Sequence, residues 1–144
     1  MTHDPRQLGA LPPRIGLSGS ALALLTHARA ALADAAATDD AGERFGQAHL
    51  AALRTAAAVL AERGRPAATR RRLMSVWVLI DAVAPELGEW AAYFAAGAAV
   101  RAAVEAGAVN AVGWRAADDQ VRAAKAFLEL VECSLGLLAA PLAS

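Results

Sequence analysis

Cysteine and lysine are almost absent from this chain of 144 residues: each occurs once, as Cys133 and Lys125. One cysteine excludes an intramolecular disulfide and a cysteine-based zinc site, and fits a reducing compartment. Seven aromatic residues are too few to interleave with a basic surface as a platform for stacked bases. Charge of one sign is missing as well. Thirteen arginines and Lys125 face fourteen acidic residues, a formal net charge of zero, which excludes a polycationic nucleic-acid coat. The longest apolar run, Trp90 to Val100, has 11 residues between Glu89 and Arg101, whereas a spanning helix needs about 20. The amino-terminal residues lack a cationic patch followed by an apolar core, so no secretory signal is read there and a cytoplasmic location is expected.

Alanine is what the chain has in abundance, with 41 residues, and it is the strongest helix former. The length fits one domain large enough to fold without disulfide or metal. Residues 1–17 carry Pro5, Gly9, Pro12, Pro13 and Gly16 without an apolar period and read as a disordered tail. Residues 18–138 read as the domain and 139–144 as a second tail.

Helical periodicity divides the domain. Ser18 or Ser20 can cap a first helix with Ala21, Leu25, Ala28, Leu32 and Ala35 on one face, ending near Thr38. Asp40 and Glu43 have the spacing of a capping box, so a second helix starts at Ala41 and stops at Gly64, with Leu50, Leu53, Ala57 and Leu60 as its stripe. Ser75 can cap a short helix from Val76 to Ala84, although Val76 to Ile80 are also good strand formers. Pro85 suits the first turn of a fourth helix that Gly107 ends; Gly97, in its interior, is explained by a close helix crossing or by tolerance. The last helix shows Trp114, Ala117, Val121, Ala124, Leu128, Val131, Leu135 and Leu138 at alternating steps of three and four, widened by Ala123, Phe127, Leu130 and Leu137. Asp118 with Arg122 and Lys125 with Glu129 read as surface pairs, and Cys133 as an inert, packed thiol. The expected fold is all-α, an antiparallel bundle of four to five helices.

The usual catalytic patterns are missing. Gly16-Leu17-Ser18-Gly19 lacks the lysine and preceding strand of a phosphate loop. His3, His27 and His49 are not spaced to share a helical metal site, so neither metal nor cofactor is expected. Two features remain. Arg44 and His49, near the start of the second helix, supply a fixed cation and a group that titrates near neutrality. Together they suit metal-free RNA cleavage, in which imidazole moves the 2′-hydroxyl proton and guanidinium stabilises charge on the phosphoryl oxygens. Residues five apart differ by about 140° around a straight helix, so this pairing needs a long reach, an irregular turn or a second subunit. The competing reading makes His49 a helix-packing residue at the edge of the stripe and pairs Arg44 with Asp40 or a neighbouring acid. The second feature is a loop in which Arg63, Arg65, Arg70, Arg71 and Arg72 place five of the basic residues within ten positions, either to hold phosphates or simply as a solvated loop.

The chain resembles HEPN domains, specifically their small stand-alone actinobacterial branch, over roughly Ser18 to Leu138. The likeness lies in the order of segments: Glu43-Arg44-Phe45-Gly46-Gln47-Ala48-His49-Leu50-Ala51-Ala52-Leu53-Arg54, the arginine-rich loop, Ser75-Val76-Trp77, Glu89-Trp90-Ala91, and Ala126-Phe127-Leu128-Glu129-Leu130-Val131-Glu132. The resemblance implies a bundle of four or five helices, often a homodimer. It also implies RNA binding and, in many members, metal-independent endoribonuclease activity through Arg, four to six residues, His. Only Arg44 and His49 match that motif; Phe45 stands where a polar residue is usual, and the pair lies on the second helix rather than a late one. If the chain is such an enzyme, Arg44 stabilises phosphoryl charge, His49 is the general acid or base, and Arg65, Arg70, Arg71 and Arg72 hold the RNA backbone. Other branches are non-catalytic. The alternative is therefore a dimeric module that binds a protein partner, an antitoxin or a nucleic-acid-processing enzyme, through a helix face or the arginine-rich loop, away from any membrane.

Overall fold

Side-chain caps set three of the helix starts. Ser18 Oγ accepts the amide of Ala21 at 3.1 Å, Asp40 Oδ2 that of Glu43 at 2.8 Å, and Ser75 Oγ that of Val78 at 3.2 Å. Each satisfies an amide that has no partner inside its helix. The computed structural model describes residues 17–64, 75–108 and 110–136. Five α-helices follow in order: α1 Gly19–Ala37, α2 Ala41–Arg63, α3 Val76–Val83, α4 Gly88–Glu105 and α5 Trp114–Ser134, with a 3-10 turn at Pro85–Leu87 leading into α4. The described residues contain no strand, so Val76 to Ile80 are helical. Trp77 and Ile80, three apart, go into the core and Val78 faces out. The expected tails lie outside the described residues except for Leu17, which packs against the core.

The box at the start of α2 closes by a detour. Glu43 does not reach the Asp40 amide; the Thr38 hydroxyl donates to Glu43 at 2.8 Å and accepts from the Asp40 amide at 3.1 Å. At its other end Gly64, with φ of +90°, stops the helix in a conformation that L side chains rarely adopt.

α2 is the axis of the bundle and packs against α1, α3, α4 and α5. Its alanines explain how four neighbours fit: Ala48, Ala51, Ala52, Ala56 and Ala58 are fully buried on several sides of the helix. Small side chains let helix backbones approach closely. Of the expected stripe, Leu60 is buried while Leu50, Leu53 and Ala57 are only half-buried, because contact on all sides displaces the single-face pattern. α1 runs antiparallel to α2, since the Ser18 amide reaches Glu62 at one end and Arg44 reaches Ala35 at the other.

α5 departs from its sequence pattern in several respects. Its buried seam comprises Ala117, Gln120, Ala124, Phe127, Leu128, Val131 and Glu132, whereas Trp114 and Leu130 are exposed and Val121 half-buried. Packing on α1 and α2 rotates the seam toward Gln120 and Glu132, two polar groups that find partners inside the fold. The helix ends at Ser134, earlier than Leu138, because Gly136 at φ +81° turns the chain. Cys133 is exposed rather than packed. Asp118 bonds Arg44, not Arg122, which pairs with Asp119.

An aromatic cluster fills the space beside α2. Trp77 stacks on Phe94 at 5.2 Å and Trp90 on Phe127 at 5.5 Å, while Phe94 and Phe127 lie 5.4 Å apart. Offset aromatic pairs at these spacings contribute about 0.5–1.5 kcal/mol each beyond area burial. His49 extends from α2 to the edge of this cluster.

Candidate functional site

α1 ends without a basic residue in its last turn, so its terminal carbonyls and the negative end of its dipole are uncompensated locally. Arg44, one turn into α2, supplies the missing cation. Its Nε donates to Ala35 O at 2.9 Å, Nη2 to Ala36 O at 3.4 Å and Thr38 O at 3.3 Å, and Nη1 to Asp118 Oδ1 at 2.7 Å. The guanidinium carbon lies 4.6 Å from the centre of the Trp114 ring. The fork is thus bound to the end of α1, and a ring and a carboxylate from α5 complete its surroundings.

His49 faces another part of the fold. It is 1% exposed, lies 6.1 Å from Trp77 and 6.4 Å from Phe94 by ring centres, and contacts Gln120 Nε2 through Nδ1 at 3.2 Å. An amide nitrogen only donates, so Nδ1 is the acceptor and the ring proton is assigned to Nε2. Burial, and secondarily the positive charge of Arg101, lower the imidazole pKa from 6.5 to about 4. At neutral pH the ring is uncharged. Arg44 and His49 share no hydrogen-bond partner, and Phe45 rather than Arg44 stacks on the imidazole, at 6.4 Å.

Gly97 of α4 sits over this group. A Cβ there would lie 3.4 Å from Phe45 Cζ, 3.5 Å from Gln120 Nε2 and 3.6 Å from His49 Nδ1, so the helices do cross closely, though within ordinary contact.

Arg65, Arg70, Arg71 and Arg72 lie outside the described residues. Arg63, at the end of α2, forms an ion pair with Glu86 at 2.5 Å. Across the described residues, eight basic side chains face thirteen acidic ones, so the bundle is net acidic, while the segment 65–74 carries four arginines and no acid. Among the described residues no group of three or more His, Cys, Asp or Glu side chains is placed to hold a metal ion, and no helix is long and apolar enough to cross a membrane.

The partners the sequence reading passed over are Trp114, Asp118, Gln120 and Arg101. Trp114 and Asp118 stand four apart on α5 and so share a face, and Gln120 lies three residues after Ala117 and four before Ala124, an amide at a buried position that demands a partner. Those spacings were the available signal. Arg101 had none, since its relation to His49 depends on how α4 crosses α2.

Compared with protein families, residues 35–132 match the SAV_6107-like HEPN family, a span from the last turn of α1 almost to the end of α5. Neither the curated proteins nor the solved structures contain a match.

Proposed function

The chain belongs to the SAV_6107-like HEPN family, and on that premise we propose that it acts as a non-catalytic HEPN interaction module, a homodimer that engages a protein partner through a helix face. The observation that carries this reading is the engagement of Arg44, whose Nε, one N–H of Nη1 and both of Nη2 bond the end of α1 and Asp118. With a single N–H left on Nη1, such a guanidinium would have to break some of those bonds to grip a phosphoryl group through two parallel ones. The neutral, enclosed ring of His49 supports the same reading, because imidazole acts as a general acid in its imidazolium form, and a pKa of about 4 leaves the ring neutral at working pH.

The outer face of α4 supports a place for the second copy of the homodimer. Ala92, Ala96 and Ala99 are exposed at steps of four and three, Ala103 continues the row half-buried, and Tyr93 beside them is 45% exposed. No charged residue lies between Glu89 and Arg101. An uncharged, small-residue face of this length can take a second helix at close range.

A second reading concerns RNA. Arg65, Arg70, Arg71 and Arg72 concentrate positive charge beside an acidic bundle, and this favours a phosphate-binding segment that works without cleavage. The deciding experiment is incubation of an end-labelled mixed RNA in EDTA with the wild type, Arg44→Ala and His49→Ala, each first shown to fold. The module reading expects intact RNA throughout; cleavage by the wild type that both substitutions abolish would establish a metal-independent endoribonuclease instead. Filter retention of the same RNA that collapses between low and moderate salt would support the arginine segment as its anchor.

A further inference from the structure

Between α2, α3 and α4 lies a cavity of about 210 Å³ whose wall includes His49, Leu53, Ser75, Trp77, Arg101 and Glu105. Arg101 approaches it with an incomplete set of bonds. One nitrogen, Nη2, meets Glu105 at 2.9 Å, but Nε is buried and has no partner. Buried polar groups are nearly always paired, and an orphan N–H on a cation is among the most costly to leave so. His49 has a donor to spare as well: with Nδ1 taken by Gln120, the proton sits on Nε2, which has no acceptor among the described residues. Ser75 Oγ accepts the Val78 amide and keeps its own hydrogen to give.

Three residues that each keep a donor therefore line one small cavity, with Glu105 the sole carboxylate among its described lining residues. We propose that this cavity binds a single oxyanion group, phosphate or carboxylate, with Arg101 as its principal ligand and His49 and Ser75 as further donors. The Nε and Nη2 atoms of an arginine form an edge that takes two oxygens of one oxyanion in parallel. Glu105 holds one of these nitrogens. Its side chain is 59% exposed, so it can turn to water and yield that nitrogen. The site stands apart from the Arg44 clasp and needs no catalytic step, so it goes beyond the interaction-module reading without depending on it.

Occupancy would report itself through His49. Among the described residues, the charged groups that line the cavity with the ring are Arg101 and Glu105, both from α4; α3 and α5 bring Trp77 and Gln120, which do not titrate here. An oxyanion beside the ring offsets the arginine and favours the imidazolium, which raises the depressed pKa.

The test is nitrogen-15 NMR of the full chain, titrated with sodium phosphate or sodium acetate at ionic strength held constant with chloride. The expected result is a saturable shift of the Arg101 Nε–H and His49 ring signals and an upward move of about one unit or more in the His49 titration. Saturation by phosphate alone assigns a tetrahedral ligand, and by acetate alone a carboxylate. Arg101→Gln should remove the saturable shift, and Glu105→Gln, which removes the competitor, should tighten binding several-fold. No saturable response to either anion, or the same response in Arg101→Gln, overturns the proposal. Should Arg101→Gln fail to fold, Glu105→Gln decides, because unchanged or weaker binding in that variant is equally fatal.

Discussion

Arg44 and Asp118, 74 positions apart in sequence, meet at 2.7 Å where α1 ends and α5 begins. The same guanidinium closes the end of α1, so one side chain holds three helices in register. Asp118 is about half-exposed, and an exposed pair of this kind is worth less than about 1 kcal/mol. Most of the stabilisation comes from the bonds to the carbonyls of Ala35, Ala36 and Thr38.

Replacing Arg44 with Met should therefore cost about 2 kcal/mol of folding stability, while Asp118→Asn should cost well under half of that. Urea denaturation of both variants, with the double variant to complete the cycle, checks the ranking. Equal losses in the two single variants would mean that the ion pair, not the helix end, is what Arg44 serves.

His49 predicts how stability depends on acid. Its folded pKa of about 4 lies below the ordinary 6.5, so the unfolded chain takes up a proton first as pH falls. The contribution of this residue is fully present above about pH 6.5 and is lost progressively down to about pH 4, for a total of about 3 kcal/mol. Urea midpoints measured between pH 7 and pH 4 should fall in the wild type. They should fall less in His49→Gln, which titrates nothing there, and parallel slopes would remove burial as the cause of the shift.

Gly97 offers a gain. The Cβ that alanine would add makes contacts of 3.4 to 3.6 Å, and alanine in place of glycine inside a helix is worth up to about 1 kcal/mol. Gly97→Ala should raise the melting temperature, and Gly97→Leu should lower it because the larger side chain must displace Phe45, His49 or Gln120. A lower melting temperature for Gly97→Ala would show that the crossing tolerates no side chain at all.

The α4 face predicts the state of assembly. Ala96 is exposed at the middle of the uncharged row, so Ala96→Glu should leave the fold intact, by circular dichroism and melting, yet yield monomers in light scattering where the wild type yields dimers. A wild type that is already monomeric would remove self-association from the proposed function.

Much of the fold was legible because its signals are local. Ser18, Asp40 and Ser75 cap the amides of residues three positions later, and Gly64 stops α2 because few other residues adopt its backbone angle. Of the candidate site, the sequence offered Arg44 and His49 as residues but not their surroundings. Their partners come from α1, α4 and α5, and no spacing along α2 encodes which neighbour each side chain meets.

The sequence by itself determined an all-α chain, its helix starts, and a HEPN-like order of segments, because capping and helical period act over three to seven residues. Tertiary structure alone decided that α2 lies at the centre, that Arg44 serves the end of α1, and that His49 is neutral beside Arg101. Those outcomes depend on burial and on charges brought together from distant positions. Both are set by how the helices pack.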